Sequence, residues 1–371
     1  MKRNDPCPPA WAEVDLAALR ANYRILRRLA KGSDILPVIK ADAYGHGIVP
    51  VAKTLVSEGV RRLAVAYVRE GETLRLRGVK AGILVLTPTL ADEIPLALRH
   101  TLTLQVSTLE GARDIARVAR RMGREATVHV KVDSGMGRVG FRPDRALRDL
   151  LSLVAIEGLK VEGFYTHLAT ADWTNPAYAR KQALLFKRVM EAAGQEVCHV
   201  ANSAALLTGL LSARGTWARP GLALYGIHPN PRMRRLAPLR SVMQFKCRVL
   251  QVKSIPAGGS VSYNRTFIAK RETKVATLGA GYADGLLRSL SNRGHALVRG
   301  RRVPLIGNIC MDMTMADVTN VSGVKAGDVV TLWGRDGKAV LRVEEQAKAA
   351  GTISYELLCA VGNRVRRVYK G

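Results

Sequence analysis

The sequence predicts an α/β protein made of a (β/α)8 TIM barrel followed by a smaller β-rich domain. The first two-thirds of the 371 residues alternates short apolar runs with amphipathic helical stretches, and the remainder changes to short alternating strands separated by turn sequences. Eight strand-then-helix units in about 220 residues suit a closed barrel, whereas a doubly wound sheet would usually contain fewer strands.

An amphipathic helix comes before the eight apolar runs. Its apolar residues recur at steps of three and four, and Asp15 is placed to cap its N-terminus. The recurring residues are Leu16, Leu19, Tyr23, Leu26 and Ala30. The runs expected to form the barrel strands are "ILPVIK", "RLAVAY", "GILVLT", "LTLQVS", "ATVHVKV", "VEGFYTH", "EVCHVAN" and "WARPGLALYG".

The predicted domain boundary lies near residues 231–238, where proline and charged residues cluster. From Gln244 onward, "PAGG", "SNRG", "RGRR" and "RDGK" are typical of hairpin turns. We therefore assign residues 1–235 to a cofactor-binding barrel and residues 236–371 to the β-rich domain. Two helices, "VEEQAKAAG" and "ISYELLCAVG", are predicted near the end of the chain.

Composition indicates a soluble globular protein, with 47% hydrophobic and 24% charged residues. No uncharged apolar run reaches the roughly 20 residues that a membrane span needs, so we expect no membrane association. The cysteines are scattered and form no C-x-x-C pair, which argues against a disulfide framework or a zinc site. They are Cys7, Cys198, Cys247, Cys310 and Cys359. Together these features predict a cytoplasmic protein without a bound metal.

The net charge of +28 raises the alternative of nucleic-acid binding. However, the basic clusters are scattered along the whole chain, and only 5% of residues are aromatic, too few for a base-stacking surface. A merely basic surface is the favoured interpretation, and nucleic acid is not an expected partner.

Polar residues follow several of the predicted strands, at the end of a barrel where active sites are built. Each alone is more typical of a turn or a satisfied core residue, but together they predict a site. They are Lys40 and Tyr44 after the first strand, Arg138 after the fifth, His167 at the sixth, Asn202 and Ser203 at the seventh, and Arg219 and Gly221 at the eighth. Phosphate is commonly bound after strands seven and eight. A strand-end lysine opposite a phosphate site suggests pyridoxal 5′-phosphate, which requires an amine for its Schiff base.

At this point the sequence resembles the bacterial alanine racemases, pyridoxal-phosphate enzymes of fold type III. The matching stretches occur in order along nearly the whole chain: "VIKADAYGHG", "KVDSGMGRVGF", "THLATAD", "ANSAA", "RPGLALYG", "VSYNRTF", "GYADG", "GNICMDMTMADV" and "TISYE". The resemblance implies an isomerase that interconverts L- and D-alanine for the bacterial cell wall by two-base proton transfer.

The resemblance also implies roles for individual residues. Lys40 would carry the cofactor and act as one base, and Tyr263 would act on the opposite face of the substrate. The implied cofactor-binding residues are Lys40, Tyr44, His167, Asn202, Ser203, Arg219, Gly221, Leu222 and Tyr355. The implied substrate-binding residues are Arg138, Tyr282, Cys310, Met311 and Asp312. Lys131 matches a position that carries a carbamate in several family members, with an ordinary lysine as the alternative.

Family members are homodimers in which the tyrosine comes from the partner chain, so a homodimer with shared active sites is expected. Racemisation of another small amino acid such as serine, or decarboxylation by an enzyme of the same fold type, remains the alternative function. "GMGRVG", residues 135–140, also satisfies a dinucleotide-binding pattern, but it follows the fifth strand instead of the first, and the next helix starts only near Pro143.

Overall fold

A computed structural model describes residues 8–210 and 217–371, without the side chains of residues 145–147; Cys7 lies outside the described residues. The chain divides into two compact units. One comprises residues 19–43 and 47–240, and the other comprises residues 44–46 and 241–371 together with the N-terminal segment up to Ala18. We call them the barrel unit and the β unit.

Within the described residues, the barrel unit has one sheet of eight strands, all paired in parallel. Around the sheet the strands are Asp34–Ile35, Trp217–Arg219, Cys198–Asn202, Leu159–Tyr165, Ala126–Lys131, Thr103–Val106, Gly82–Pro88 and Arg62–Val65. A parallel bridge between Val38 and Ala64 joins the first strand's continuation to the last strand. The predicted barrel is confirmed, and each strand overlaps one of the eight predicted apolar runs.

Helices follow the barrel strands and bury their apolar faces, as the sequence periodicity predicted. They are Ile48–Ser57, Val68–Leu76, Ile94–Arg99, Leu109–Arg121, Pro143–Val154, Ala177–Ala192 and Ser203–Thr208, with short 3₁₀ helices at Leu222–Tyr225 and Pro231–Arg235. The first helix of the chain, Leu16–Leu29, begins as predicted, because Asp15 Oδ1 accepts a hydrogen bond of 2.8 Å from the Ala18 N–H.

The β unit is built on a nine-stranded sheet. In sheet order its strands are Ala339–Leu341, Val329–Asp336, His295–Val298, Arg301–Ile306, Thr314–Asp317, Thr273–Leu278, Met243–Ile255, Ala10–Asp15 and Arg366–Lys370. A separate hairpin pairs Ser260–Val261 with Phe267–Ile268, and 3₁₀ helices lie at Tyr263–Arg265, Tyr282–Asp284 and Arg288–Leu290. The two predicted C-terminal helices are Val343–Ala350 and Ser354–Ala360.

The N-terminal strand Ala10–Asp15 is the main departure from the predicted organisation. It pairs antiparallel with Met243–Ile255 and parallel with Arg366–Lys370, both in the β unit. From the sequence alone this segment falls in the barrel domain, residues 1–235, because a short apolar run gives no sign of which sheet it joins. The three strands bring together residues that lie more than 200 positions apart in the chain.

None of the helices in the described parts of the chain is both long and apolar enough to cross a membrane.

Candidate active site

Residues at the carboxyl ends of the barrel strands converge around His167. Burial lowers the pKa of this imidazole well below its ordinary value, and the positive charges of Arg219, Lys131, Arg138 and Lys40 lower it further. Four strand-end cations therefore act on one neutral imidazole. A cluster of basic side chains of this kind suits an anionic ligand.

Lys40 opens a left-handed turn just beyond the continuation of the first barrel strand, which bridges to Ala64 at Val38. The φ angles of Ala41, Asp42, Ala43 and Tyr44 are 53°, 52°, 55° and 54°. Each non-glycine residue in this conformation costs about 1–2 kcal/mol, so four in succession persist only where surrounding contacts hold them. The "ADAY" sequence gives no sign of this turn, because none of its residues favours positive φ except Asp42.

Ser203 links the ends of strands seven and eight, where the phosphate site was predicted. Its Oγ accepts hydrogen bonds from the backbone N–H groups of Gly221 at 3.0 Å and Ala223 at 3.2 Å. Because both acceptor positions of this buried hydroxyl are used, its O–H is left to donate to an acceptor such as a phosphate oxygen. Asn202 caps the helix Ser203–Thr208, because its side chain accepts from the Ala205 N–H at 3.0 Å. Leu222 begins the 3₁₀ helix Leu222–Tyr225.

Arg219 is almost completely buried, and burial lowers its pKa to about 10, which still leaves it protonated at neutral pH. Its Nη2 donates to the Thr166 carbonyl at 2.6 Å and lies 3.4 Å from His167 Nδ1. Its Nη1 lies 2.9 Å from His199 Nδ1. The guanidinium therefore lies between two imidazoles, His167 on one side and His199 on the other.

From Arg219 a hydrogen-bonded chain crosses the barrel interior. His199 Nε2 lies 2.8 Å from His129 Nδ1, and His129 Nε2 lies 3.2 Å from a carboxylate oxygen of Glu162. The other oxygen of Glu162 accepts from Arg62 Nη2 at 2.7 Å, at the opposite end of the barrel. Gly163 makes room for this chain, because a Cβ there would lie 2.9 Å from His129 Cε1.

Arg219 and Glu162, at the two ends of this series of hydrogen bonds, determine the tautomers of both histidines. A guanidinium only donates, so His199 accepts at Nδ1 and carries its proton on Nε2. His129 must then accept at Nδ1 and donate from Nε2 to the Glu162 carboxylate. Burial lowers the pKa of both imidazoles, which keeps them neutral, so Arg219 is held by an ordered relay that ends at an anion.

We expect Glu162→Gln to disturb this relay measurably. The hydrogen bond from His129, with the adjacent Arg62, lowers the pKa of Glu162 to about 2. The parent therefore gains stability from this carboxylate above its unfolded pKa of about 4.3, and loses it as the pH falls towards 2. At pH 7 the free energy of unfolding of the variant should be about 1–3 kcal/mol lower than that of the parent. The difference should shrink below about pH 4.5. Urea unfolding at several pH values would measure this difference, and a constant gap would contradict the assignment.

The loop containing Arg138 is tied to Asp133. The carboxylate of Asp133 accepts from the backbone N–H groups of Gly135, Met136, Gly137 and Arg138 at 2.8–3.2 Å. These four amides are already paired with Asp133, and the next helix starts only at Pro143, so the "GMGRVG" motif lacks the available amides and helix start of a dinucleotide site. The arginine side chain itself is exposed.

Lys131 is 2% exposed, and its Nζ donates to the Val132 carbonyl at 3.2 Å. Burial lowers the pKa of this amine to about 7, and the charge of Arg219 acts in the same direction. A substantial fraction of the side chain is therefore neutral near pH 7. This is not the ordinary solvated lysine that the sequence left open.

The β unit presents the other predicted residues. Tyr263 is 70% exposed in a loop where Ser262, Asn264 and Arg265 have φ angles of 67°, 61° and 49°. The Tyr263 carbonyl accepts from Asn308 Nδ2 at 2.9 Å, which fixes the backbone that carries the phenol.

Four further predicted residues of the β unit lie on neighbouring backbone segments. The Tyr282 N–H donates to the Cys310 carbonyl at 3.0 Å, and Met311 follows with its side chain 53% exposed. Asp312 Oδ1 accepts from Arg364 Nη2 at 2.8 Å. Gly281 allows this packing, since a Cβ there would lie 2.3 Å from the Cys310 oxygen.

Tyr44 and Tyr355 meet within the β unit, with ring centroids 5.9 Å apart. The glycine after Tyr44 is required here, because a Cβ on Gly45 would lie 2.1 Å from the Leu358 oxygen. Two of the implied cofactor-binding residues, far apart in sequence, are thus neighbours.

Two family models match the two parts of the chain. Residues 14–229 match the model described as "Alanine racemase, N-terminal domain", and residues 242–369 match "Alanine racemase, C-terminal domain". The chain belongs to the alanine racemase family. Members of this family are isomerases that depend on pyridoxal phosphate.

Individual members are similar over almost their full lengths. The chain is 41% identical to the alanine racemase of Desulforamulus reducens, over 98% of this chain and 99% of that protein. The structure of an alanine racemase from Clostridium difficile 630 is 36% identical with a TM-score of 0.93, covering 98% and 96% of the two chains. The structure of an alanine racemase from Bartonella henselae, described with covalently bound pyridoxal phosphate, is 28% identical with a TM-score of 0.90, covering 98% and 100%.

Sequence reasoning missed the relay of His129, His199 and Glu162. All three lie inside predicted strands, where a buried strand ordinarily carries apolar side chains. Polar residues within the runs "ATVHVKV", "VEGFYTH" and "EVCHVAN" were a usable signal, but the sequence did not indicate that they meet.

Proposed function

We propose that this member of the alanine racemase family interconverts L- and D-alanine at a site where Lys40 and Tyr263 act from opposite faces of the substrate. The observation that carries the proposal is the match of both domains to the family, with Lys40 at the carboxyl end of the first barrel strand among the cations around His167.

The residues at the barrel rim suit pyridoxal 5′-phosphate. The cation cluster complements its negative charge, and the Ser203 hydroxyl is left to donate to a phosphate oxygen. When bound, this cofactor withdraws electrons from an attached amino acid and so acidifies its α-proton. In our proposal Lys40 anchors the cofactor, and the remaining residues hold its phosphate or its ring. The phosphate would be held by Tyr44, Asn202, Ser203, Gly221, Leu222 and Tyr355, and the ring by His167 and Arg219.

Inversion of the α-carbon requires a proton to leave one face and another to arrive on the opposite face. The Lys40 amine would move the proton on one face and the Tyr263 hydroxyl on the other. Arg138 and the Met311 backbone would orient the substrate carboxylate, while Tyr282, Cys310 and Asp312 would line the site. A guanidinium only donates hydrogen bonds, so Arg219 would leave the ring nitrogen unprotonated, which favours simple proton exchange over transamination.

We further propose that the active unit is a homodimer in which Tyr263 serves the Lys40 of the other subunit. The high exposure of Tyr263 and Met311 supports this arrangement, because catalytic and substrate-contacting side chains normally work in a water-excluded site. A cytoplasmic location and a supply of D-alanine to peptidoglycan are the setting we propose for this activity.

Lys131 is proposed to be carbamylated in the active protein. Only a neutral amine attacks CO2, and a pKa of about 7 makes Lys131 reactive at pH values where an ordinary lysine is protonated. A carbamate there would place a negative charge beside the cations of the rim. We expect a carbamate carbon signal when the protein is kept in ¹³C-bicarbonate at pH 8, and its loss on acidification below pH 7. The Lys131→Met variant should lack the signal at both pH values.

The direct test is racemisation by the purified, cofactor-supplied protein. L-Alanine should yield D-alanine until the two are equal, and in D2O the product should carry deuterium at the α-carbon. L-Serine is the competing substrate, and CO2 release measures the decarboxylase alternative. Faster racemisation of serine, or CO2 release without racemisation, would contradict the proposed function.

A further inference from the structure

The left-handed turn after Lys40 is held from outside by one carboxylate. The Ala41 N–H, which belongs to the Lys40–Ala41 peptide, donates to Glu70 Oε1 at 2.6 Å. The other oxygen of Glu70 accepts from the backbone N–H groups of Ala66 at 2.7 Å and Tyr67 at 3.3 Å. Glu70 therefore joins the turn to the loop and helix start that follow the neighbouring barrel strand, Arg62–Val65.

We propose that Glu70 is a positioning residue that sets the direction of the Lys40 side chain. This inference rests on the proposed role of Lys40 as the cofactor-bearing amine. The orientation of the Lys40–Ala41 peptide fixes the backbone on the carboxyl side of the Lys40 Cα, and hence where its amine can reach. Four successive residues with positive φ have no intrinsic preference for this conformation, so the peptide needs an external partner.

A carboxylate is required because the three N–H donors use both of its oxygens. A glutamine of the same shape has one acceptor oxygen, and its NH2 group would face at least one of these donors. An aspartate keeps the charge but is one methylene shorter, so it cannot both cap the helix Val68–Leu76 and reach the Ala41 N–H.

A matched control lies two residues along the same helix. Glu72 pairs with Arg69 at 2.9 Å on the surface and has no contact with the turn in the described hydrogen bonds, so Glu72→Gln makes the same chemical change without touching Lys40. A second control is Asp42→Asn within the turn. Asp42 Oδ1 accepts from the Ile48 N–H at 2.7 Å, and asparagine retains this acceptor and tolerates positive φ.

The first measurement is amide hydrogen exchange of the cofactor-free protein over residues 40–47. Loss of a hydrogen bond to a charged acceptor should raise exchange of the Ala41 amide about tenfold or more in Glu70→Gln, and leave it unchanged in Glu72→Gln. Glu70→Asp should show the same effect, which keeps the test available if Glu70→Gln folds poorly. Unchanged exchange in both Glu70 variants would overturn the proposed contact.

The second measurement is the rate at which pyridoxal phosphate becomes fixed to Lys40 after borohydride reduction, quantified by peptide mass spectrometry. We expect about a tenfold slower rate in the Glu70 variants and parental rates in both controls. Faster exchange with an unchanged Lys40 reaction would show that Glu70 only stabilises the turn, and would overturn the positioning role. If Lys40 of the parent protein is never labelled, the proposed function is contradicted instead. Failure of the positioning role of Glu70 and failure of the proposed function therefore give different results.

Discussion

Replacing Lys40 with alanine should abolish racemisation in both directions. The substitution removes the amine that would hold the cofactor and, with it, the proton carrier on one face of the substrate. General acid–base groups typically contribute 10²–10⁴-fold, so initial rates from L-alanine and from D-alanine should both fall about a thousandfold or more. Chiral chromatography of the product would measure each direction separately.

The matched control is Lys160→Ala, at an exposed lysine on the strand Leu159–Tyr165. It should keep parental rates in both directions. Both variants should show the parental thermal unfolding midpoint within a few degrees, because neither removes a buried apolar group. Parental activity in folded Lys40→Ala without any added amine would contradict the assignment of Lys40.

The barrel could be predicted because its strands are nearly continuous apolar runs. A strand of a parallel barrel is buried on both faces, so runs such as "GILVLT" differ clearly from the amphipathic helices between them. Strand order then follows from the right-handed connection of parallel strands, and the strand ends define one rim. This is why the sequence alone predicts that Lys40, His167, Ser203 and Arg219 lie on the same rim.

The features that the sequence did not predict depend on long-range contacts. The strand Ala10–Asp15 is assigned to the β unit only by its pairing with partners near residues 247 and 368. The turn after Lys40 adopts positive φ because Glu70 and its other contacts hold it, not because of any local preference. In both cases the determining partner is remote in sequence, and local propensity carries no information about it.

The resemblance to known proteins implies roles for individual residues, and the structure gives physical reasons for some of these roles. A neutral His167 follows from burial beside Arg219, and the Arg219 guanidinium, which can only donate, sets the proton positions along the relay that ends at Glu162. The relay places a compensating anion across the barrel instead of beside the proposed ring nitrogen. A carboxylate in direct contact with the ring nitrogen would favour its protonation. Glu162 is distant from that nitrogen, so it can compensate the buried charge of Arg219 without favouring protonation of the ring.

The shared site makes a further prediction about mixtures of two inactive proteins. Lys40→Ala retains Tyr263, and Tyr263→Phe retains Lys40, so each homodimer alone lacks one proton carrier at both sites. When the two proteins are unfolded together and refolded in equal amounts, random pairing gives about half heterodimers. In each heterodimer one site has both residues and the other has neither, if Tyr263 acts across the subunit interface.

Activity should then return to about a quarter of the parental value, since half of the sites in half of the dimers are complete. Phenylalanine in place of Tyr263 removes only a hydroxyl from a 70% exposed side chain, so impaired folding should not obscure the result. Mixing each variant with itself gives the baseline, and differently tagged subunits demonstrate that exchange has occurred. If Tyr263 instead acts within its own chain, every site in every mixture lacks one carrier. A mixture that stays at baseline despite demonstrated heterodimers would therefore exclude the shared site while leaving the role of Lys40 intact.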